Sequence, residues 1–214
     1  MQALEISGPL DAPLVLLAHG AGAGSKSGFM VAIADALETQ GVATGRFDFA
    51  YMAMSQSDGR RRPPPRMAVI MEEMRARIAE AHALAGDRPL FIGGKSMGGR
   101  IASMIAAESP AESKIAGCIC LAYPFHPAGK PDLLRTSHLA ETTCPTLIVQ
   151  GTRDALGNCH EVAGYKLSGS IELAWLEDGD HDFKPRKSSG HTHADHFRHA
   201  AAAVADFVRR HTKS

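Results

Sequence analysis

Five short runs of consecutive apolar residues punctuate the chain: Leu14–Ala18 (LVLLA), 89–92 (PLFI), 115–122 (IAGCICLA), 145–150 (PTLIVQ) and Ile171–Leu176 (IELAWL). The first is bounded by Pro13 and His19-Gly20, and the fourth ends at Gly151. Runs of this length without alternation suit strands buried on both faces. The stretch 42–49 reads as another strand and 3–6 as a short first one. Between them the spacing changes. Phe29, Met30, Ile33, Ala36 and Leu37 recur at helical intervals over 29–39, with Gly41 as a stop. Met67, Ile70, Met71, Met74, Ile78 and Ala81 do the same over Met67–Ala85. We read this methionine stripe as ordinary core. An apolar, helix-prone segment covers 100–108, and 193–210 reads as a closing helix. The stretch 50–65, with three consecutive arginines and three prolines, is expected to be a loop. Strands alternating with helices predict an α/β architecture, a doubly wound and mostly parallel sheet. No internal repeat or linker divides the chain, so one domain over 1–214 is expected.

The transition at 89–101, PLFIGGKSMGGRI, carries the strongest chemical signal. Gly94-x-Ser96-x-Gly98 lies between a predicted strand and a predicted helix. A serine on so tight a turn has a strained backbone, and glycines two before and two after let neighbouring chains approach. The turn also leaves the N–H of Met97 free at a helix N-terminus, where it can stabilise an oxyanion. The bland alternative is a glycine turn whose serine caps the next helix.

In open α/β sheets, sites gather at the carboxyl ends of strands. His19-Gly20-Ala21-Gly22 follows Leu14–Ala18, Ser96 follows 89–92, Asp154 follows 145–150, and His181 follows Ile171–Leu176. These positions assemble a nucleophile, an acid and a base. A serine hydroxyl needs a base to take its proton, and imidazole, with a pKa near ~6.5, serves at neutral pH. A carboxylate on its other nitrogen fixes the tautomer. Asp178, Asp180 and Asp182 lie too close in sequence to face His181, so Asp154 is the better orienting acid. A second oxyanion donor would come from the 19–22 loop, with Ala21 best placed. His19, Tyr123 and His126 follow strands and could line the substrate pocket.

Composition narrows the function further. Lys plus Arg and Asp plus Glu both number 23, giving zero formal charge, so neither nucleic acid nor an anionic membrane is an expected partner. No signal peptide or membrane-length apolar stretch is evident. The four cysteines, Cys118, Cys120, Cys144 and Cys159, form no metal pattern, and we read them as reduced in a cytoplasmic protein. Arg60-Arg61-Arg62 reads as solvated surface, with an acidic substrate or partner as the alternative. His191, His193, His196 and His199 cluster, but only Asp195 could complete a metal set. We read them as a solvated helix start, with no metal and no cofactor.

With these residues assembled, the sequence resembles the α/β-hydrolase superfamily. It is most similar to small lidless members related to dienelactone hydrolases and to the testis-expressed-30-like group. The segments LLAHGAGAG, FIGGKSMGGRIAS, LAYPFHPAGKP, LIVQGTRDALG and LEDGDHDFKPRKSSG carry the resemblance, in family order Ser, Asp, His. It implies an α/β-hydrolase fold with a minimal cap over 124–143. It also implies Ser96 as nucleophile, Asp154 as acid, His181 as base, and Ala21 and Met97 as oxyanion donors. Dienelactone hydrolases proper use a cysteine where this chain has Ser96. Some eukaryotic relatives serve as complex subunits.

The expectation is a serine hydrolase of a small ester, thioester or related acyl substrate. Two rivals stand beside it. One is a catalytically silent interaction module on the same fold. The other is a P-loop-like nucleotide-binding protein, since GAGAGSKS at 20–27 nearly matches a phosphate-binding loop. Ser25 occupies its second glycine position. In the Gly94-Lys95-Ser96 version, Pro89 occupies the first.

Overall fold

The computed structural model describes residues 3–108 and 114–212. Its strands are β1 (Glu5–Ser7), β2 (Leu14–Ala18), β3 (Ala43–Phe47), β4 (Leu90–Lys95), β5 (Ile115–Leu121), β6 (Thr146–Gly151) and β7 (Ile171–Leu176). They form one sheet in the order β1-β3-β2-β4-β5-β6-β7. β1 pairs antiparallel to β3, and all other pairs are parallel. The helices are α1 (Gly28–Glu38), α2 (Ala50–Asp58), α3 (Met67–Ala85), α4 (Met97–Glu108), α5 (Cys159–Val162) and α6 (His193–His211).

The two-residue repeat of a strand divides the core. Leu14, Leu16, Ile92, Cys118, Cys120 and Ile148 face one way, against Ile70, Met71 and Met74 of α3 and Ile101 and Ile105 of α4. Val15, Leu17, Phe91, Ile119, Leu147 and Val149 face the other, against Met30, Ile33 and Leu37 of α1 and Val204, Phe207 and Val208 of α6. Both faces are covered, which is why the strands read as unbroken apolar runs. Each such side chain contributes roughly 1.5–3 kcal/mol by burial.

One sequence expectation fails here: 50–65 is not all loop. Ala50–Asp58 is helix α2, which inserts Tyr51 and Met52 into the core. Its first N–H is capped by Glu73 of α3, across a 2.9 Å bond from the Ala50 nitrogen. Gly59, in the left-handed region at φ +71°, ends it. That cap is tertiary, so no local capping signal announces the helix. α4 also begins earlier than the expected 100, directly at Met97.

The chain leaves β2 towards β3 on one side, and β4 joins β2 on the other. The loops after β2 and β4 therefore diverge and open a crevice between them. Among the described residues no helix is long and apolar enough to cross a membrane.

Candidate active site

Ser96 sits at the crevice with φ +52°, the left-handed region an L-residue occupies only under constraint. The constraint is visible. Its N–H bonds Leu121 O at 2.8 Å, and its carbonyl accepts the Arg100 N–H at 3.0 Å, opening α4. A Cβ at Gly94 or Gly98 would collide with the carbonyl oxygen of Ala18 in β2. Both glycines of the motif are thus required by the close passage of a neighbouring strand.

The structure brings the three predicted side chains together. His181 Nε2 lies 2.9 Å from Ser96 Oγ, and His181 Nδ1 lies 2.8 Å from Asp154 Oδ2. Asp154 is fully buried. Its Oδ1 accepts the Leu156 N–H at 2.8 Å, and its Oδ2 also accepts from Gln150 Nε2 at 2.9 Å. Gln150, itself fully buried, accepts the Tyr123 N–H at 2.7 Å. Sequence reading missed Gln150. As the last side chain of β6 before the glycine turn, it could have been flagged as a polar group on a buried strand.

The acid and base loops are stitched to each other. Thr152 and Arg153 donate backbone bonds to Leu176 O (3.0 Å) and Gly179 O (2.9 Å), and Asp178 N–H bonds Thr152 Oγ1 at 2.7 Å. The Asp178 carboxylate accepts from Arg186 N and Nε at 2.7 Å each and pairs with Arg153 at 2.9 Å. Arg186 holds its pKa down, to about 2.

The N–H groups of Met97 and Ala21 have no acceptor among the described residues. The loop carrying Ala21 is fixed from behind: Tyr51 Oη donates to Ala21 O at 3.0 Å. His19 belongs to this support and not to the pocket. It is fully buried, its Nε2 accepts the Phe49 N–H at 3.1 Å, and its Nδ1–H therefore donates to Gly20 O at 2.7 Å. Burial lowers its pKa, so the ring is neutral and the 3.7 Å approach to Asp48 is not an ion pair. Tyr123 and His126 are corrected likewise. Tyr123 is buried, donates to Arg135 O at 2.8 Å and stacks edgewise on Phe125. His126 is buried beside Pro127 O and Glu161. None of the three lines the cavity over Ser96.

That cavity measures about 740 Å³. Its walls come from the Gly20–Ala23 loop, the start of α1 with Phe29 and Met30, the start of α6 with Phe197, and Lys95. Among the described residues, the 124–143 connection contributes nothing to it. Lys95 is a second missed residue. Its side chain is 8% exposed and ion-paired with Asp182 at 3.0 Å, and burial lowers its pKa.

Two sequence alternatives look different in three dimensions. Lys26, the lysine of the phosphate-loop match, is exposed, pairs with Glu5 at 3.1 Å and does not line the cavity over Ser96. His196 is not a solvated helix-start residue: it is 1% exposed and bonds Phe183 O. Arg62 is held by Asp58 at 2.7 and 2.6 Å.

A family model described as an alpha/beta hydrolase domain matches residues 11–209. Solved structures with similar folds include Est1E from Butyrivibrio proteoclasticus, solved with ferulic acid bound. It has 18% identity, covers 99% of this chain and 95% of that one, and gives a TM-score of 0.70. An esterase domain from a Rhodothermus marinus protein has 17% identity, coverage of 97% and 92%, and a TM-score of 0.66. A dienelactone hydrolase from Anabaena variabilis has 22% identity, coverage of 96% and 89%, and a TM-score of 0.66.

Proposed function

The chain belongs to the α/β-hydrolase family, and from that premise we propose that it is a serine hydrolase of ester, thioester or related acyl bonds. One observation carries the reading: an unbroken relay from Asp154 through His181 to Ser96 Oγ, with contacts of 2.8 and 2.9 Å, on a strained turn.

The chemistry follows from these contacts. Asp154 Oδ2 accepts a hydrogen bond from His181 Nδ1–H, which leaves the Nε2 lone pair facing Ser96. Nε2 takes the hydroxyl proton as Oγ attacks the substrate carbonyl carbon. The carbonyl π pair moves onto oxygen, where the Met97 and Ala21 N–H groups receive it. Each such donor is worth roughly 3 kcal/mol in the transition state. Collapse of the tetrahedral intermediate expels the leaving group, which takes the proton from the imidazolium. Water, deprotonated by His181, then repeats the attack on the acyl-enzyme. The aromatic wall of Phe29 and Phe197 suits an apolar acyl group of small size.

Hydrolysis of p-nitrophenyl acetate and butyrate, with fluorophosphonate labelling in parallel, tests the reading. Wild type should turn over and be labelled. Ser96→Ala should lose label and at least about 10³-fold in kcat. A wild type inert to both would favour a silent module on this fold.

A further inference from the structure

The loop that carries His181 is held by more than its own turns. Three successive carbonyls of this loop accept hydrogen bonds from side chains of other elements. Lys95 Nζ donates to His181 O at 2.5 Å, His193 Nε2 to Asp182 O at 2.8 Å, and His196 Nδ1 to Phe183 O at 2.6 Å. Lys95 comes from the end of β4, one residue before the nucleophile, and the two histidines come from the first turn of α6. The loop requires holding. Asp178 and Phe183 have φ of +58° and +65°, a backbone region that a non-glycine residue occupies only when its surroundings hold it there.

Lys95 is the most buried cation in this arrangement. Its ammonium satisfies the His181 carbonyl, pairs with Asp182 Oδ1 at 3.0 Å and lies 4.9 Å from the centre of the Phe29 ring. A lysine this buried is retained against its desolvation cost only by such partners. It also ties the backbone of the base to the strand that ends in the nucleophile.

We propose that Lys95 is a positioning residue for the base, and that with His193 and His196 it forms a three-point latch on the His181 loop. The inference rests on the hydrolase reading. Lys95 touches no reacting atom. It acts by fixing the backbone from which the imidazole projects.

The test compares wild type, Lys95→Met, Lys95→Arg and Lys95→Met with Asp182→Asn. It uses p-nitrophenyl butyrate kinetics and hydrogen exchange of amides 178–186. Lys95→Met should lose 10- to 100-fold in kcat with little change in KM, the scale of a 1 Å misplacement. Lys95→Arg, which keeps the donor and the charge, should recover much of it. The charged groups facing Lys95 are Asp154, Asp180 and Asp182, and Asp182 also faces His181 and His193. The double variant should not restore kcat. Full recovery of kcat in the double variant would show that Lys95 only neutralises Asp182, and would overturn the latch. So would an unchanged kcat in Lys95→Met. If wild type has no turnover, the hydrolase reading fails separately and exchange decides the latch. Faster exchange over 178–186 in Lys95→Met supports it, and unchanged exchange overturns it. Should Lys95→Met not fold, His193→Ala, at an exposed position, must show the faster exchange for the latch to stand.

Discussion

Asp154 owes its orientation to Gln150 as much as to its own loop. The Gln150 amide reaches Asp154 Oδ2, Tyr123 O and Gly157 O, all within 3.1 Å, while its oxygen takes the Tyr123 N–H. Gln150→Leu removes one bond to a carboxylate, worth roughly 1.5 kcal/mol, and strands a buried N–H. We expect kcat to fall about tenfold and the urea midpoint to drop, measured on the same preparation. At this scale the reacting residue types were legible because each follows a predicted strand, and strand ends converge on one edge. The same rule misplaced His19, Tyr123 and His126. Position after a strand says which edge a residue reaches but not whether its side chain turns outwards or folds back under the loop. His19 folds back because the Phe49 N–H and the Gly20 carbonyl need partners. Gln150 and Lys95 stayed hidden because each looks like a polar interruption in a strand until its partners arrive from distant segments.

Elements with their own periodicity were found nearly to the residue, as with α3, whose apolar spacing spans its whole length. α2 was missed because its cap and its packing both come from elsewhere in the chain. The connection after β5 was legible only as short. It proves to be pinned by His138, in a single helical turn at Ser137–Ala140. Ser103 Oγ donates to Arg100 O at 2.9 Å, so His138 Nε2–H donates to Ser103 across another 2.9 Å contact. Burial, aided by the Arg100 guanidinium, lowers the imidazole pKa from 6.5 to about 4. The unfolded chain therefore binds more protons than the folded one between these values, and stability falls as pH drops from about 6.5 towards 4. His138→Gln should flatten that decline. Thermal melts of both proteins at pH 4.5, 5.5 and 7 would show it, and parallel slopes would assign the acid sensitivity to other groups.

At the scale of the whole molecule, alternation of strand and helix was enough to order the layers, and the family match and similar folds agree with it. The short first strand expected at 3–6 is β1, but its antiparallel direction at the sheet edge was not legible, because a three-residue strand carries no signal of its pairing. The two loops stitched across Thr152, Arg153, Leu176 and Gly179 have a consequence in time as well as space. Ser96, Asp154 and His181 hang from β4, β6 and β7, so no local segment contains a working fragment of the site. Contacts this far apart in sequence form late, after the entropy of closing long loops has been met. On dilution from urea, helical circular dichroism should therefore recover before fluorophosphonate reactivity at Ser96. The lag between the two traces would time the closure of the outermost strand against its neighbour.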